Sequence, residues 1–165
     1  MTIGFCAFTI RVMEFVTLVG TPLGIMSVVT NDDGFVTQIY YGVKEESKKS
    51  VETDTAKMVA TQFEQYFKGE RKTFDFPVKF AGTEFSVAVW EEICKVPYGE
   101  TATYRDIAER IDRPKACRAV GNACNKNPIM IFIPCHRILG KSNIKNYVGG
   151  CGKKGELLAT EERYK

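Results

Sequence analysis

The chain has 165 residues, of which 44% are hydrophobic and 26% charged, and it carries a net charge of +3 at neutral pH. That length suits one compact domain or two small ones sharing a core, and the balance is that of an ordinary soluble globular protein. No apolar run approaches the roughly 20 residues of a helical membrane span, so no membrane partner is expected.

The opening MTIGFCAFTIRVMEF is apolar, but it lacks a basic leader and is interrupted by Arg11 and Glu14. No signal peptide is expected. Residues 1–12 read as an extension ahead of a strand-like pattern that begins near Met13. Three β-rich runs follow, FVTLVG, GIMSVVT and FVTQIYYG, divided by Thr21-Pro22-Leu23-Gly24 and by the hairpin-like Asn31-Asp32-Asp33-Gly34. Residues 44–52 are polar and read as a loop. Apolar positions 56, 59, 60, 63 and 67 give a helical period over Thr53–Phe67, closed by Gly69. FDFPVKF is a short extended connector, and Ala81-Gly82-Thr83 a boundary between residues 1–80 and 81–165.

The second half changes character. Phe85–Val96 reads as an amphipathic helix, broken by Pro97-Tyr98-Gly99. Thr103–Ile111 reads as another, with Ile107, Ala108 and Ile111 inward. After Asp112-Arg113, Pro114 is placed to begin a third helix running from Lys115 to about Asn125. Two short helices joined tightly resemble a helix-turn-helix, a shape that is common by itself. On the third helix Ala116, Ala119, Val120 and Ala123 fall together, opposite Lys115, Arg118, Asn122 and Asn125. That polar face is either a plain solvent stripe or a binding face.

Charge is unevenly spread. Residues 1–81 carry 9 basic and 10 acidic side chains, whereas residues 82–165 carry 14 and 10. From Arg113 to Gly155 there are nine basic residues and no acid. A solvated surface would explain the run, and so would an anionic partner such as a phosphate backbone.

Inside that run lies NPIMIFIPCHRILG, where Cys135 precedes His136, the only histidine of the chain. A thiolate is the reactive form of cysteine, and an ordinary thiol needs a base or a positive field to reach it. His136 offers the base, Arg137 and nearby lysines the field. Adjacent residues of an extended segment point to opposite sides, so direct contact needs a tight turn after Pro134 or a bridging water. A histidine base also needs an orienting acid. On a helix over Lys153–Glu162, Glu161 falls between Leu157 and Leu158 on the apolar face, with Glu156 and Glu162 nearer its edges. A histidine partner would offset the cost of burying that carboxylate; a frayed, exposed helix end would remove it. The chain has six cysteines but no C-x-x-C. Cys117 and Cys124 are about 10.5 Å apart along a helix, too far for a disulfide. Neither a closed zinc site nor any other metal is expected, and free thiols in the cytoplasm fit best.

IPCHRILG, preceded by YGETATYRDIA, RAVGNA and the Asn-Pro of NPIMIF, resembles the O6-alkylguanine-DNA alkyltransferases. These are also called methylated-DNA–protein-cysteine methyltransferases. YVGG followed by KKGELLATE is similar to the family's C-terminal stretch, so the motifs cover residues 83–162 in order. PLG and the FxxYFxG of Phe63, Tyr66, Phe67 and Gly69 resemble its N-terminal half more loosely. The resemblance implies an α+β (α/β) fold. Its first half would be a ribonuclease-H-like strand meander with one helix, and its second a mostly helical, winged-helix-like domain with a helix-turn-helix.

It also implies roles. Cys135 would accept the alkyl group, His136 would act as a water-mediated base, and Glu161 would orient it. Asn127 would hold the turn before the active-site loop. Tyr104 would contact a rotated phosphate and the guanine edge and protonate the leaving base. Arg118 would enter the base stack as the damaged guanine swings out. Lys115, Ala119, Gly121, Asn122 and Ala123 would lie against the minor groove, and Tyr147, Lys145 and Val148 would line the pocket. Backbone groups of Cys135, Ile138 and Val148 would read the guanine. The implied partner is double-stranded DNA with an alkylated guanine, bound by a monomer without cofactor and acting once per chain, with O4-alkylthymine a further possible lesion.

ILGKSNIKNY runs one residue shorter than the family's usual loop. Val148, Lys145 and Met130 are bulky for the pocket, which favours methyl over benzyl adducts. The family's zinc-binding version is not expected, since the first half has no histidine. Three rivals exist. A binding-only relative lacks the acceptor cysteine. A cysteine peptidase or acyltransferase needs a base from elsewhere. A helix-turn-helix regulator has no use for a Cys-His pair behind an apolar run.

Overall fold

A computed structural model describes residues 13–43, 51–140, 147 and 149–165. Strands β1 (Glu14–Thr21), β2 (Gly24–Asn31) and β3 (Val36–Tyr41) form an antiparallel sheet in that order. Gly24 sits at φ +106° and Gly34 at +81°, left-handed positions at the two hairpin turns where a side chain is disfavoured. One sheet face is apolar: Val19, Met26, Val28, Val36 and Ile39 are buried. Helix α1 (Asp54–Phe67) covers it with Ala56, Val59, Phe63 and Tyr66, and its N-cap Thr53 accepts from Ala56 N–H. All three strands and this helix match the periodicity of the sequence.

The outer edge of β3 carries pairings that no local pattern announces. Val36 N–H donates to Pro77 O at 2.9 Å, and Lys79 N–H returns to Val36 O. Further along, Ile39 N–H donates to Pro128 O at 2.8 Å and Met130 N–H to Ile39 O at 3.1 Å. The sheet edge therefore stitches the two halves of the chain together, and it fixes the segment leading into the Pro-Cys-His-Arg turn.

Helices α2 (Glu84–Cys94), α3 (Tyr104–Arg110) and α4 (Cys117–Asn125) pack against one another in the second half. Thr103 and Asp106 close a reciprocal capping box at the start of α3. Trp90 Nε1 donates to Ala123 O at 2.9 Å, pinning α2 to α4. The third helix begins later than Pro114 suggests. Residues 111–116 make turns with Asp112 at φ +55°, and Lys115 precedes the helix instead of opening it. Ala119 is exposed, not inward, while Cys124 joins Val120 and Ala123 in the core.

A short parallel pairing, β4 (Ala102–Thr103) with β5 (Ile138–Leu139), ties the active-site turn to the start of α3. Helix α5 (Cys151–Arg163) closes the fold with Leu157 and Glu161 buried. Its end seats on the first half: a Cβ at Gly69 would lie 2.3 Å from the Tyr164 ring, so only glycine admits that approach. Among the described residues no helix is long and apolar enough to cross a membrane.

Candidate active site and nucleic-acid interface

Cys135, His136 and Arg137 form one turn of 3-10 helix following Pro134, whose ψ of 58° starts the bend. This tight turn separates the three side chains, and each has its own setting. Cys135 Sγ accepts from Asn127 Nδ2 at 3.0 Å. The same Nδ2 donates to Ile133 O at 2.8 Å, while Asn127 Oδ1 accepts from Ile129 N–H at 2.9 Å. One amide thus clamps both ends of the Ile129–Ile133 loop. Inside that loop Ile131 is fully buried at φ +72°, a left-handed conformation that costs a β-branched residue about 1–3 kcal/mol.

His136 is wholly buried, and its Nε2 lies 2.7 Å from Glu161 Oε1. Glu161 is also grasped by Arg137, whose Nη2 donates to Oε1 at 2.9 Å and Nε to Oε2 at 3.0 Å. Gly99 N–H donates to Oε2 at 3.0 Å, and Tyr66 O–H to Oε1 at 2.6 Å. Burial, the largest influence on Glu161, would raise its pKa, but His136 and Arg137 together bring it down to about 2. It is a carboxylate at any working pH. His136 moves downward, chiefly by burial, with Glu161 opposing. The imidazole is therefore neutral, with Nε2–H directed at the carboxylate and the Nδ1 lone pair free. Nδ1 has no hydrogen-bond partner among the described residues.

Of the expected sources of positive field, Arg137 and the nearby lysines, a lysine acts on the thiol. Arg137 does not serve the thiol: it is committed to Glu161 and to Val96 O at 2.6 Å. The cation that acts on Cys135 is Lys154, buried on α5, with Nζ donating to Ile138 O at 2.6 Å. Periodicity could have found it, since Lys154, Leu157 and Glu161 share one helix face. Even so, the thiol is not poised as an anion. Burial pushes Cys135 up to about 11, against the downward pull of Asn127 and Lys154. At pH 7 about one molecule in ten thousand would hold a thiolate.

Tyr104, at the first turn of α3, is half-buried beside Gly121 of α4. Burial raises its pKa, with Cys124 and Cys135 adding to the effect. Arg118, Ala119, Asn122 and Asn125 lie on the exposed face of α4, with Arg113 and Lys115 exposed in the turn before it. Ala123 faces the other way and is buried under Trp90, so its place against a groove is withdrawn. Ile138 is buried, its N–H bonded to Cys135 O and its carbonyl to Lys154. Tyr147 meets the His136 ring edge-on at 6.5 Å. Lys145 and Val148 lie outside the described residues, as does the extension 1–12. The four described free thiols are Cys94, Cys117, Cys124 and Cys135, and among the described residues no cluster suits a metal ion.

Fold and site together define a protein with a buried cysteine site beside a helix pair that exposes Arg118, with Arg113 and Lys115 in the turn before α4. Comparison with known proteins agrees in detail. Residues 84–163 match the family model described as 6-O-methylguanine DNA methyltransferase, DNA binding domain. The inducible methylated-DNA–protein-cysteine methyltransferase of Bacillus subtilis is 46% identical over 67% of this chain. That match spans 62% of the relative, less than two thirds of its length. The constitutive enzyme of the same organism is 36% identical over 89% of this chain and 92% of its own. A crystal structure of Mycobacterium tuberculosis OGT in complex with DNA superposes with a TM-score of 0.83 at 32% identity. It covers 91% of this chain and 94% of that one. The chain belongs to the methylated-DNA–protein-cysteine methyltransferase family.

Proposed function

We propose that this protein repairs double-stranded DNA by moving the alkyl group of an O6-alkylguanine onto Cys135, once per molecule. The observation that carries the reading is the pairing of His136 Nε2 with Glu161, from which the tautomer follows because a carboxylate only accepts. Glu161 holds Nε2–H, which leaves Nδ1 as the one basic nitrogen, buried one residue from a thiol that is neutral at rest.

The damaged base must leave the stack, because in-line attack on its alkyl carbon is blocked inside a duplex. The exposed face of α4 suits a groove, with Ala119 and Gly121 allowing close approach, Asn122 and Lys115 adding polar contacts, and Arg118 filling the gap. Flipping costs a few kcal/mol, less for a poorly paired base. A Mycobacterium tuberculosis relative has a crystal structure in complex with DNA, which supports DNA as the partner.

Chemistry then follows from the site. The thiol proton passes to His136 Nδ1 through a water, Glu161 stabilising the imidazolium. The sulfur lone pair forms the S–C bond as the C–O6 bond breaks, and that electron pair returns to the purine. Tyr104 donates the proton that makes the departing guanine neutral and later regains one from solvent. The product is a thioether with no leaving group, so the thiol is not restored. Asn127 presents the sulfur and Lys154 stabilises its anion as it forms. Tyr147 closes one side of the pocket.

The same reading takes residues 1–80 as a reduced ribonuclease-H-like unit and 81–165 as a winged-helix-like DNA-binding and transfer unit. It is that of a cytoplasmic monomer, without cofactor, acting on O4-alkylthymine as a secondary lesion. Intact-mass measurement after incubation with duplex DNA containing O6-methylguanine tests it. The expected result is a single methyl adduct that maps to Cys135 and is absent from Cys135→Ser. Many turnovers per chain, or lesion loss in the serine variant, would overturn it; bound DNA with no adduct would mark a lesion-binding protein.

A further inference from the structure

Tyr66 lies on α1, 95 residues from Glu161, yet its hydroxyl reaches Glu161 Oε1 at 2.6 Å. It is completely buried, packed edge-on against Phe67 and Tyr98. A buried tyrosine ordinarily finds some acceptor. What distinguishes this one is which acceptor it finds: Oε1 is the oxygen that also orients His136 Nε2 at 2.7 Å. We propose that Tyr66 is a positioning residue of alkyl transfer, reaching across from the first half of the chain to set, through the shared Glu161 oxygen, how readily His136 takes a proton.

The proposal rests on His136 being the base. Burial raises Tyr66, and Glu161 raises it further, so the hydroxyl remains a donor at any working pH. Each donor on Oε1 withdraws negative charge from the atom facing the imidazole. With Tyr66 silent, the carboxylate would hold an imidazolium more firmly. His136 would then stay protonated to higher pH, and fewer molecules would have an open Nδ1 near neutrality.

The cations around the pair are already committed to other acceptors or to Glu161 itself. Around His136 stand Glu161, Arg137 and Lys154, with Tyr147 at its edge and the neutral Cys135 beside it. Around Glu161 stand Arg137, the Gly99 amide and, at longer range, Tyr98. Arg137 already gives Glu161 three of its bonds. A nearby hydroxyl without a hydrogen-bond partner among the described residues is that of Tyr98, so Tyr66→Phe is also made in a Tyr98→Phe background. Alignment of α1 with α5 has a second support nearby, where Tyr164 sits on Gly69 just past the end of α1.

The test is single-turnover transfer from saturating duplex containing O6-methylguanine, followed from pH 5 to 9 with the full chain. Wild type, Tyr66→Phe, His136→Gln and a protein with 3-fluorotyrosine at position 66 are compared. Tyr66→Phe should move the acid limb to higher pH by about half to one pH unit, slowing transfer about threefold to tenfold on that limb. It should rejoin wild type at high pH, with DNA affinity unchanged. The 3-fluorotyrosine protein, a stronger donor of nearly the same shape, should move the limb the opposite way. An acid limb that stays in place in both proteins would reduce Tyr66 to a packing role. If His136→Gln keeps the wild-type acid limb, the base assignment itself fails and the proposal falls with it.

Discussion

Asn127 and Cys135 are joined by an N–H···S hydrogen bond of 3.0 Å, and the amide making it also bonds both ends of the loop between them. Removing it strands Ile129 N–H and Ile133 O in a buried loop, at about 1–3 kcal/mol for each group. Asn127→Ala should therefore lower unfolding stability by about 2–4 kcal/mol as well as slow transfer. Asn127→Asp is the sharper probe. It keeps the acceptor for Ile129 N–H, loses the donor to both the sulfur and Ile133 O, and sets a negative charge against the forming thiolate. Its transfer rate should fall below that of Asn127→Ala, which loses the same donors without adding a charge. Equal single-turnover rates for Asn127→Asp and wild type would show that the amide does not serve the sulfur.

Lys154 is the buried cation nearest in effect to the thiol, and it is held by Ile138 O. Lys154→Met keeps the length and apolar bulk of the stem while deleting the charge. The Cys135 thiol should rise above its already high value, and transfer at neutral pH should slow about tenfold for each pKa unit gained. From pH 7 to 9 the gap should hold steady, because both thiols stay well below their pKa and gain anion in parallel. Lys154→Arg, which keeps the charge, should recover most of the rate; equally slow Met and Arg variants would mean that Lys154 acts through packing alone.

What the sequence discloses and what it withholds divide along physical lines. The strand runs, the helix over residues 54–67 and the inward place of Glu161 follow from periodicity, which is local. The late start of α4 at Cys117 was hidden because Pro114 is as suitable for a turn as for a helix N-terminus, and Asp112 adopts a left-handed φ. Ala119 and Ala123 look alike on a helical wheel, yet Trp90, 33 residues before Ala123, decides which is covered. The true partners of Arg137 and Tyr66 come from distant segments, so their charge or hydroxyl could be seen but not its destination. Lys154 was hidden because a lysine is rarely buried; its shared face with Leu157 and Glu161 was the available clue.

Arg118 projects from the exposed face of α4, outside the hydrogen-bonded site. On the proposed mechanism it acts on DNA and not on the sulfur. Arg118→Ala should slow transfer from duplex by about tenfold or more, or about 1.4 kcal/mol of lost flipping assistance. Reaction with the free base O6-benzylguanine, which needs no flipping, should proceed at the wild-type rate. Loss of both activities together would place Arg118 in the chemistry or the fold.

Acid should unfold the protein in two stages whose signs follow from the buried pair. Glu161 is held at about 2 against an ordinary 4.5, so the unfolded chain binds its proton first as pH falls. Its contribution is complete above about pH 4.5 and is lost on the way down to about 2, on the order of 3 kcal/mol in all. His136 is also depressed, below 6.5, chiefly by burial. The unfolded imidazole takes a proton that the folded one refuses, so stability begins to fall once pH drops through about 6.5. Both slopes have the same sign: stability rises with pH. Because His136 is the only histidine, His136→Gln should flatten urea midpoints between pH 6.5 and 5 and shrink the lower stage to what Arg137 alone sustains on Glu161. A variant whose midpoints fall as steeply as wild type across that interval would show that the folded imidazole is not neutral, and Nδ1 would then have no lone pair to offer the thiol.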